Sequence, residues 1–551
     1  MRSRSIESVG AAVDNPVRYR TAAELKLALA DLEPSDLEHG ADRLIEVLAE
    51  VRHNSLPVTE RYETLRHCLA FATQLRSGLA KQLVGLSLPP PPDQISLSRR
   101  CAEAYRMMSD CFRSIAEEIA ARDSGPISDA HRLSHCCYWG LNCLGEYIVI
   151  RCECYLKASP GVWLDIHRIY DLAVAEGVDQ LPLGQKPKQV RTVDSAYKRL
   201  LLLGLSDPFQ HPFRGLRRLY EKLNDWASLT HLTKATKPAS RCVFVVDPRL
   251  DRPASPTLSQ AELRSELDQK WFVTRDLVSR LKQEYDTAIS HSAEHFHRHE
   301  SSTDELGSID FLRRMIVRWG IHPVRVSSRR KTYKSCELVA GLRPVCLAMN
   351  EFKSLNLEDY QSGPGFRNMI KGTYGRSDRS PVDDSLIRDD WEVEDESESG
   401  LKLVCRPSGS CGVGVDDLVA LKTGQAREWS LGTVHWAQTD ESGTVALGVK
   451  LIPQPARPVL IDRLHAGTGR ARSEALLVVD RTDGSLTRSL ICPTPVYYPT
   501  GTYLVRLPDQ RTEFVVEATN ILMSSRSFVW FEVTKPQGDT AQKVLDLIHP
   551  H

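Results

Sequence analysis

Two short stretches are the most informative part of this chain for its fold and function: Arg325-Val-Ser-Ser-Arg329 and Asp395-Glu-Ser397-Glu-Ser-Gly400. The arginine side chains are planar, permanently charged donors whose shape matches phosphate oxygens and the O6/N7 edge of guanine. On a strand, Asp395 and Ser397 share a face because side chains alternate with a period of two. Gly400 carries no side chain and therefore lets another backbone or a ligand approach closely. Together, the two stretches predict a site for an anionic guanine nucleotide.

In this order, the two stretches resemble the signature of PilZ domains, the β-barrel receptors of bacterial cyclic di-GMP. That signature is Arg-x-x-x-Arg, then a strand, then Asp/Asn-x-Ser-x-x-Gly on the next strand. The second element has one match in the chain, which begins at Asp395. Strand-like runs that begin at Val413, Trp429 and Val445 look like the later barrel strands of the same family. The resemblance covers about residues 320–455 and implies a PilZ-like antiparallel β-barrel.

The resemblance also implies roles for individual residues. In the family, the arginine segment closes over cyclic di-GMP, so Arg325 and Arg329 would contact phosphate and guanine, and the adjacent Arg330 competes with Arg329 for the inward position. Asp395 would accept hydrogen bonds from guanine N1 and N2, Ser397 would bind nearby, and Gly400 would leave room for the ligand. The family is a receptor, so we expect no enzyme activity, no catalytic residues, no metal and no cofactor besides the ligand.

Other residues near these motifs have simpler interpretations. The Arg-x-x-x-Arg spacing recurs at Arg214/Arg218 and Arg314/Arg318 in helical sequence, where we expect solvated faces. Trp436 fits a family position on a barrel strand, and core packing is the expected role. The even-numbered glutamates from 392 to 398 make the Asp395 strand acidic, and alternation predicts that they face away from Asp395.

Composition narrows the class of protein. A length of 551 residues indicates several domains, and Lys plus Arg balance Asp plus Glu at 71 each. The balance argues against a nucleic acid polymer as partner. We expect no membrane insertion and a cytoplasmic location, because no apolar run approaches the roughly 18 residues of a membrane-spanning helix. The 14 cysteines lack paired Cys-x-x-Cys spacing, so we expect buried free thiols.

The predicted fold class is α+β multidomain: an N-terminal all-α helical domain, the PilZ-like barrel, and a second small β-barrel or sandwich. The predicted domains are residues 1–235 (helical), 236–319 (a strand-like segment plus helices), 320–460 (barrel, with an insertion at about 354–390) and 461–551 (second β domain). A helix is expected from about Gln260 to Ile289. The second β domain lacks the paired motifs, so we expect it to serve packing or dimerisation, and a homo-oligomer is compatible with the sequence.

Three functions remain open from the sequence. The first is a cyclic di-GMP receptor that transmits the level of the second messenger to a protein partner through its helical domain. The second is a protein-interaction scaffold with a degenerate, non-binding PilZ domain. The third is a zinc-dependent hydrolase at His291, Glu294 and His295, because His-x-x-Glu-His on a helix places two imidazoles on one face.

Overall fold

The computed structural model describes part of the chain, and all structural statements below concern that part. The described residues are 21, 23–24, 27–28, 36–53, 56–83, 88–122, 127–184, 191–212, 215–234, 241–256, 269–296, 303–320, 328–349, 387–405, 411–424, 426, 428–464, 472–482, 485–507 and 512–536. Arg325 and the insertion predicted at 354–390, up to residue 386, lie outside them. The chain folds into two compact units. One comprises residues 1–84, 93–151 and 160–197, and the other comprises residues 85–92, 152–159 and 198–551.

The N-terminal part is helical, as the sequence predicts. Its helices are α1 (Leu37–His53), α2 (Val58–Gln82), α3 (Pro92–Ala120), α4 (Ile127–Glu153), α5 (Val162–Ala175), α6 (Val193–Leu205) and α7 (Gly215–Trp226). Apolar side chains recur every three or four residues along α3, where Cys101, Met108, Phe112 and Ile115 are all buried. This spacing places them on one face, so burial of that face stabilises the helix more than intrinsic propensity does.

A small antiparallel sheet follows, made of β1 (His231–Thr233), β2 (Val243–Val246) and β3 (Lys270–Val273), with β3 in the centre. The helix predicted from about Gln260 to Ile289 is therefore wrong at residues 270–273, because β3 pairs there with both neighbours and helix α8 (Arg275–Phe296) begins only after it. Its predicted first part, up to residue 268, lies outside the described residues. Pairing on both edges outweighs the helical pattern of this segment. Helix α9 (Thr303–Gly320) completes the part of the chain that leads into the barrels.

The first barrel is closed, six-stranded and antiparallel, in agreement with the predicted fold class. Its strands are β4 (Arg330–Ala340), β5 (Arg388–Ser397), β6 (Gly400–Cys405), β7 (Leu418–Thr423), β8 (Ser430–Thr439) and β9 (Val445–Leu451), in the order β4-β5-β6-β9-β8-β7. A short helix, α10 (Leu342–Ala348), follows β4. Alternation along β6 turns Leu401, Leu403 and Cys405 into the barrel core, where they pack with Trp391 and Val393. Closure removes the exposed strand edges that an open sheet of this size would leave.

The second barrel repeats the topology of the first. Its strands are β10 (Ala456–Leu464), β11 (Arg472–Thr482), β12 (Ser485–Pro493), β13 (Thr502–Leu507), β14 (Thr512–Ser524) and β15 (Phe528–Thr534). Their order is β10-β11-β12-β15-β14-β13, so each strand has the same neighbours as the corresponding strand of the first barrel. The strand-rich block predicted after residue 461 is therefore a barrel. The predicted domain boundaries themselves stay predictions.

A shared hydrophobic cluster joins the two barrels. It contains Val345 and Cys346 from α10, Leu418 from the first barrel, and Leu476 and Phe528 from the second. All five side chains are at most 1% exposed. Burial of this kind contributes about 1.5–3 kcal/mol per large aliphatic or aromatic side chain. The contact gives the second barrel a packing role.

The cysteines are as the sequence predicts: all 14 are free, and all are buried except the half-buried Cys242. Burial raises the pKa of several of these thiols, as it does for Cys111, whose pKa is about 12. Thiols in such surroundings are inert apolar side chains rather than reactive groups. None of the helices within the described residues combines the length and the low polarity that a membrane span requires.

Candidate functional site

The structure places Arg329, the described end of the first motif stretch, next to the second stretch through neighbouring strands. Asp395 and Ser397 end β5, and Gly400 begins β6 after a two-residue turn. The Ser397 hydroxyl donates a hydrogen bond of 3.1 Å to the Gly400 carbonyl oxygen, which stiffens this turn. Arg329 lies immediately before β4, the strand that pairs with β5. The acceptor carboxylate and at least one guanidinium of the predicted site are therefore adjacent.

The guanidinium of Arg329 already has a partner within the chain. Its Nη1 lies 2.5 Å from Asp395 Oδ1, and the two side chains are 36% and 18% exposed. Ion pairs this accessible to solvent contribute about 0–1 kcal/mol. Charge-assisted hydrogen bonds to a ligand contribute about 1.5–3 kcal/mol each. A phosphate or guanine ligand therefore has enough interaction energy to replace this pair.

Two glutamates of the acidic strand, Glu394 and Glu396, are paired with cations. Glu396 accepts hydrogen bonds from Arg330, at 2.5 Å, and from Lys334, at 3.2 Å, and these bonds lower the pKa of its carboxyl. Glu394 pairs with Lys402 at 2.7 Å. Repulsion between this strand and a doubly charged ligand is consequently much smaller than the glutamate count suggests.

The predicted alternation of the glutamates is wrong at Glu394. The β5–β6 register runs from Val393 opposite Leu403 to Asp395 opposite Lys402, so Glu394 is an extra residue in a β-bulge. A bulge places two successive residues opposite one on the partner strand. Glu394 and Asp395 consequently both lie against Lys402.

A row of residues crosses the sheet at the level of Asp395. Residues opposite each other in antiparallel strands share a face. The register links Lys331 on β4, Asp395 on β5, Lys402 on β6, Gly448 on β9 and Trp436 on β8. Since Leu401 and Leu403 point into the core, Lys402 and the rest of this row lie on the outer face of the barrel. We call these five residues the outer row.

A second row runs beside the outer row, one step toward the β5–β6 turn. It links Ser397, Gly400, Lys450 and Thr433. A Cβ at Gly400 would lie 2.6 Å from the carbonyl oxygen of Val449, so the absence of a side chain is required by the neighbouring strand itself. The two rows together form a strip that combines two glycines and three lysines with one carboxylate and one indole.

Trp436 forms one end of this strip. It is half-buried and is not part of the barrel core, so the expected core-packing role is wrong. A Cβ at Gly448 would overlap its Nε1 and the adjoining ring carbons, which shows that the indole lies directly over the Gly448 backbone. An aromatic plane beside lysines and a carboxylate is a surface on which a nucleobase can stack.

Replacing Gly448 with alanine is expected to expel the indole from this strip and to lower the free energy of unfolding by about 1–3 kcal/mol, as overpacking does. Gly414→Ala is the matched control, because its Cβ would meet nothing closer than Asp417 Oδ2 at 3.6 Å. Urea unfolding of both variants measures the difference. Equal stability of the two variants would show that Trp436 does not lie over Gly448.

Helix α9 anchors the chain shortly before the arginine segment, which is residues 325–329. The Arg314 guanidinium lies 2.6 Å from Asp310 on the same helix and 2.8 Å from Asp416, which precedes β7. Burial raises the pKa of the Asp416 carboxyl to about 6, although Arg314 opposes this shift. The solvated face predicted for Arg314 and Arg318 is therefore wrong, because Arg314 is largely enclosed by carboxylates.

Two more arginines extend the contacts of α9. Arg313 donates a hydrogen bond to the Leu522 carbonyl oxygen in the second barrel. Arg318 donates one to the Gln210 side chain and lies 3.7 Å from Asp207. The helix that leads into residues 321–327 thus contacts both barrels and the segment before α7.

The second barrel contains a partial counterpart of the site. In the β11–β12 hairpin, Thr482 lies opposite Ser485 and Asp480 lies opposite Thr487. Asp480 therefore has the same place in its hairpin as Asp395 has in the β5–β6 hairpin, two residues before the last paired residue of the first strand. The sequence at 452–455, before its first strand, contains no arginine. The second barrel therefore keeps the acidic position without an arginine in the segment just before its first strand, in line with a packing role.

The zinc site stays a prediction. The backbone of His291, Glu294 and His295 lies in α8, as the motif requires, but their side chains lie outside the described part of the structure. Among the side chains that are described, no group of three His, Cys, Asp or Glu residues is placed to hold a metal ion.

Two comparisons with known proteins found similarity, one to a family model and one to a whole protein. Residues 23–238 match the family model described as the N-terminal domain of the cyclic-di-GMP receptor FimW. The chain is also 20% identical over 482 residues to the cyclic-di-GMP receptor FimW of Pseudomonas aeruginosa, which covers 80% of this chain and 78% of that protein. No solved structure matches.

Proposed function

We propose that this chain is a cyclic di-GMP receptor whose ligand binds on the outer face of the first barrel. The observation that carries the proposal is the Arg329–Asp395 pair at the edge of the strip of glycines, lysines and indole described above. The similarity to a cyclic-di-GMP receptor along most of both chains supports the same ligand. The barrel is the PilZ-like element of this proposal, and the chain acts as a receptor rather than an enzyme.

Each chemical feature of the ligand has a partner in the strip or in the arginine segment beside it. Asp395 accepts from guanine N1 and N2, and Ser397 binds beside it. Arg329, Arg330 and Arg325 provide donors for phosphate oxygens and for O6/N7 of guanine. Lys402 and Lys450 add positive charge without a fixed direction. Gly400 and Gly448 have no side chains that would stand between the strand backbone and the ligand.

We further propose that binding is transmitted through α9 to a protein partner of the helical domain, in the cytoplasm. Residues 321–327 connect Gly320 of α9 to the strand that carries Arg330, so closure of the arginine segment over a ligand acts directly on that helix. Through Arg313 and Arg314, α9 is fixed to both barrels. The ligand can shift this arrangement only by binding its two states with different affinity.

Calorimetric titration with cyclic di-GMP tests the ligand. We expect wild type to bind and Arg329→Ala and Asp395→Ala to lose roughly 10- to 100-fold in affinity, since each removes a charge-assisted hydrogen bond of about 1.5–3 kcal/mol. Asp480→Ala is the matched control, because Asp480 has the same register in the second barrel, and it should bind as wild type does.

One alternative has an observation in its favour. Arg329 and Arg330 are both engaged by carboxylates of β5, as they would be in a barrel that has lost its ligand and serves as a scaffold. The same titration separates the two functions. Absence of heat from folded wild type would favour the scaffold, and equal binding by wild type and Asp395→Ala would place the ligand elsewhere.

A further inference from the structure

Tyr333 has an unusual backbone for a large side chain in a strand. Its φ is 48°, in the left-handed region, and the residue is 60% exposed. Bulky residues rarely adopt this region, because Cβ approaches the following carbonyl oxygen. A strained conformation persists only where the surrounding structure enforces it, and such residues cluster at binding sites.

A β-bulge enforces this conformation. The β4–β5 register runs from Lys331 opposite Asp395 to Lys334 opposite Val393, so β4 has two residues where β5 has only Glu394. The extra residue interrupts the ladder and re-aims a side chain. Thr332, the other residue of the bulge, has a buried Oγ1 without a hydrogen-bond partner among the described residues. The bulge therefore has two unfavourable features, a strained φ at Tyr333 and an unpaired hydroxyl at Thr332. It leaves the tyrosine side chain exposed on the surface.

The position of this ring relates it to the nucleotide site. Tyr333 is two residues from Lys331, the β4 end of the outer row. Arg329 and Arg330 precede it, and Lys334 follows it. Within the described part of the chain, no ring stacking or cation–π contact involves Tyr333, and at 60% exposure much of the residue is accessible to solvent.

We propose that Tyr333 is a base-stacking residue of the nucleotide site, whose ring covers a guanine that Asp395 holds by its edge. This inference rests on the proposed function, because it assumes that cyclic di-GMP binds beside Asp395. A tyrosine ring suits this role, since it provides a large rigid face with few torsions to immobilise. Base–aromatic stacking of this kind does not depend on the identity of the base.

Affinity measurements on two variants test the stacking role. Tyr333→Gly removes the ring and relieves the strained φ, so we expect the affinity for cyclic di-GMP to fall roughly tenfold while thermal stability is kept or improved. Tyr333→Phe keeps the ring and should bind within about twofold of wild type. Thr500→Gly is the matched control, because Thr500 also has a positive φ, of 55°, and lies beside the second barrel. It should leave affinity unchanged.

Selectivity for guanine over adenine distinguishes stacking by Tyr333 from recognition of the base edge by Asp395. The ratio of affinities for cyclic di-GMP and cyclic di-AMP should stay constant in Tyr333→Gly and should fall in Asp395→Ala. If wild type binds and Tyr333→Gly binds equally well, or if Tyr333→Phe loses as much affinity as Tyr333→Gly, the stacking role is wrong while the proposed receptor function stands. Absence of binding by wild type would overturn both.

Discussion

Replacing Arg314 with methionine is expected to lower the free energy of unfolding by about 3–5 kcal/mol. The substitution keeps the length of the side chain and removes the cation between Asp310 and Asp416, which lie 2.6 Å and 2.8 Å from the guanidinium. Asp310 is only 4% exposed, and it keeps Arg313 as a partner. Asp416 loses the cation that lies against it, so an unpaired carboxylate in a buried position is the main cost.

The stability loss should depend on pH in a defined direction. In wild type, burial raises the pKa of Asp416 from its ordinary value near 4 to about 6. Protonation of Asp416 therefore favours the folded state, and the cost of burying its charged carboxylate is fully present above pH 6. Without Arg314, the charged form of Asp416 is less stable, and its pKa rises further. We therefore expect the difference between wild type and Arg314→Met to be largest above neutral pH and to shrink as the pH falls toward 5.

Urea unfolding between pH 5 and 8 measures this difference. The double variant Arg314→Met/Asp416→Asn is the matched control, because it removes the charge that Arg314→Met leaves unpaired, and it should recover part of the lost stability. A deficit that grows on acidification, or a double variant no more stable than Arg314→Met, would show that the Arg314–Asp416 pair does not anchor α9 to the barrel.

Replacing Trp319 with alanine is expected to cost a similar 3–5 kcal/mol, because this side chain is fully buried and its removal leaves a large cavity. The indole Nε1 donates to the Leu202 carbonyl oxygen at 3.3 Å, and the ring packs edge-on against Trp226 at a centroid distance of 5.7 Å. Trp319 is the second-last residue of α9, directly before the arginine segment. If α9 sets the position of that segment, the variant should also lose at least about fivefold in affinity for cyclic di-GMP.

Trp429→Ala is the matched control for this variant. Trp429 is half-buried, packs on the cluster between the barrels and lies under the Lys422 ammonium at 5.8 Å, so about half the stability loss is expected and no change in affinity. Urea unfolding and calorimetry on the same samples give both quantities. A Trp319→Ala variant that is destabilised but binds normally would uncouple α9 from the ligand site.

Much of the first barrel could be predicted from local sequence. The two-residue turn between Ser397 and Gly400 sets the pairing of β5 with β6, so Asp395 opposite Lys402 follows from the hairpin register alone. Lys402 was therefore within reach of sequence reasoning as a site residue, although it was not predicted. The bulge at Glu394 could not be predicted from the sequence, since a shift of one residue in register depends on how neighbouring strands close into a barrel.

The sequence by itself determined the residue chemistry and the local periodicities: a guanidinium segment, a carboxylate and a hydroxyl on one strand face, mostly helices before residue 320 and mostly strands after it. Tertiary structure alone decided which distant residues meet. Barrel closure brings Gly448 and Trp436 into the row of Asp395, and the packing of α9 turns Arg314 from a predicted surface residue into an anchor between carboxylates. Local pattern fixes where a side chain points along its own element, whereas its partner depends on contacts between segments far apart in the chain, which only the folded packing selects.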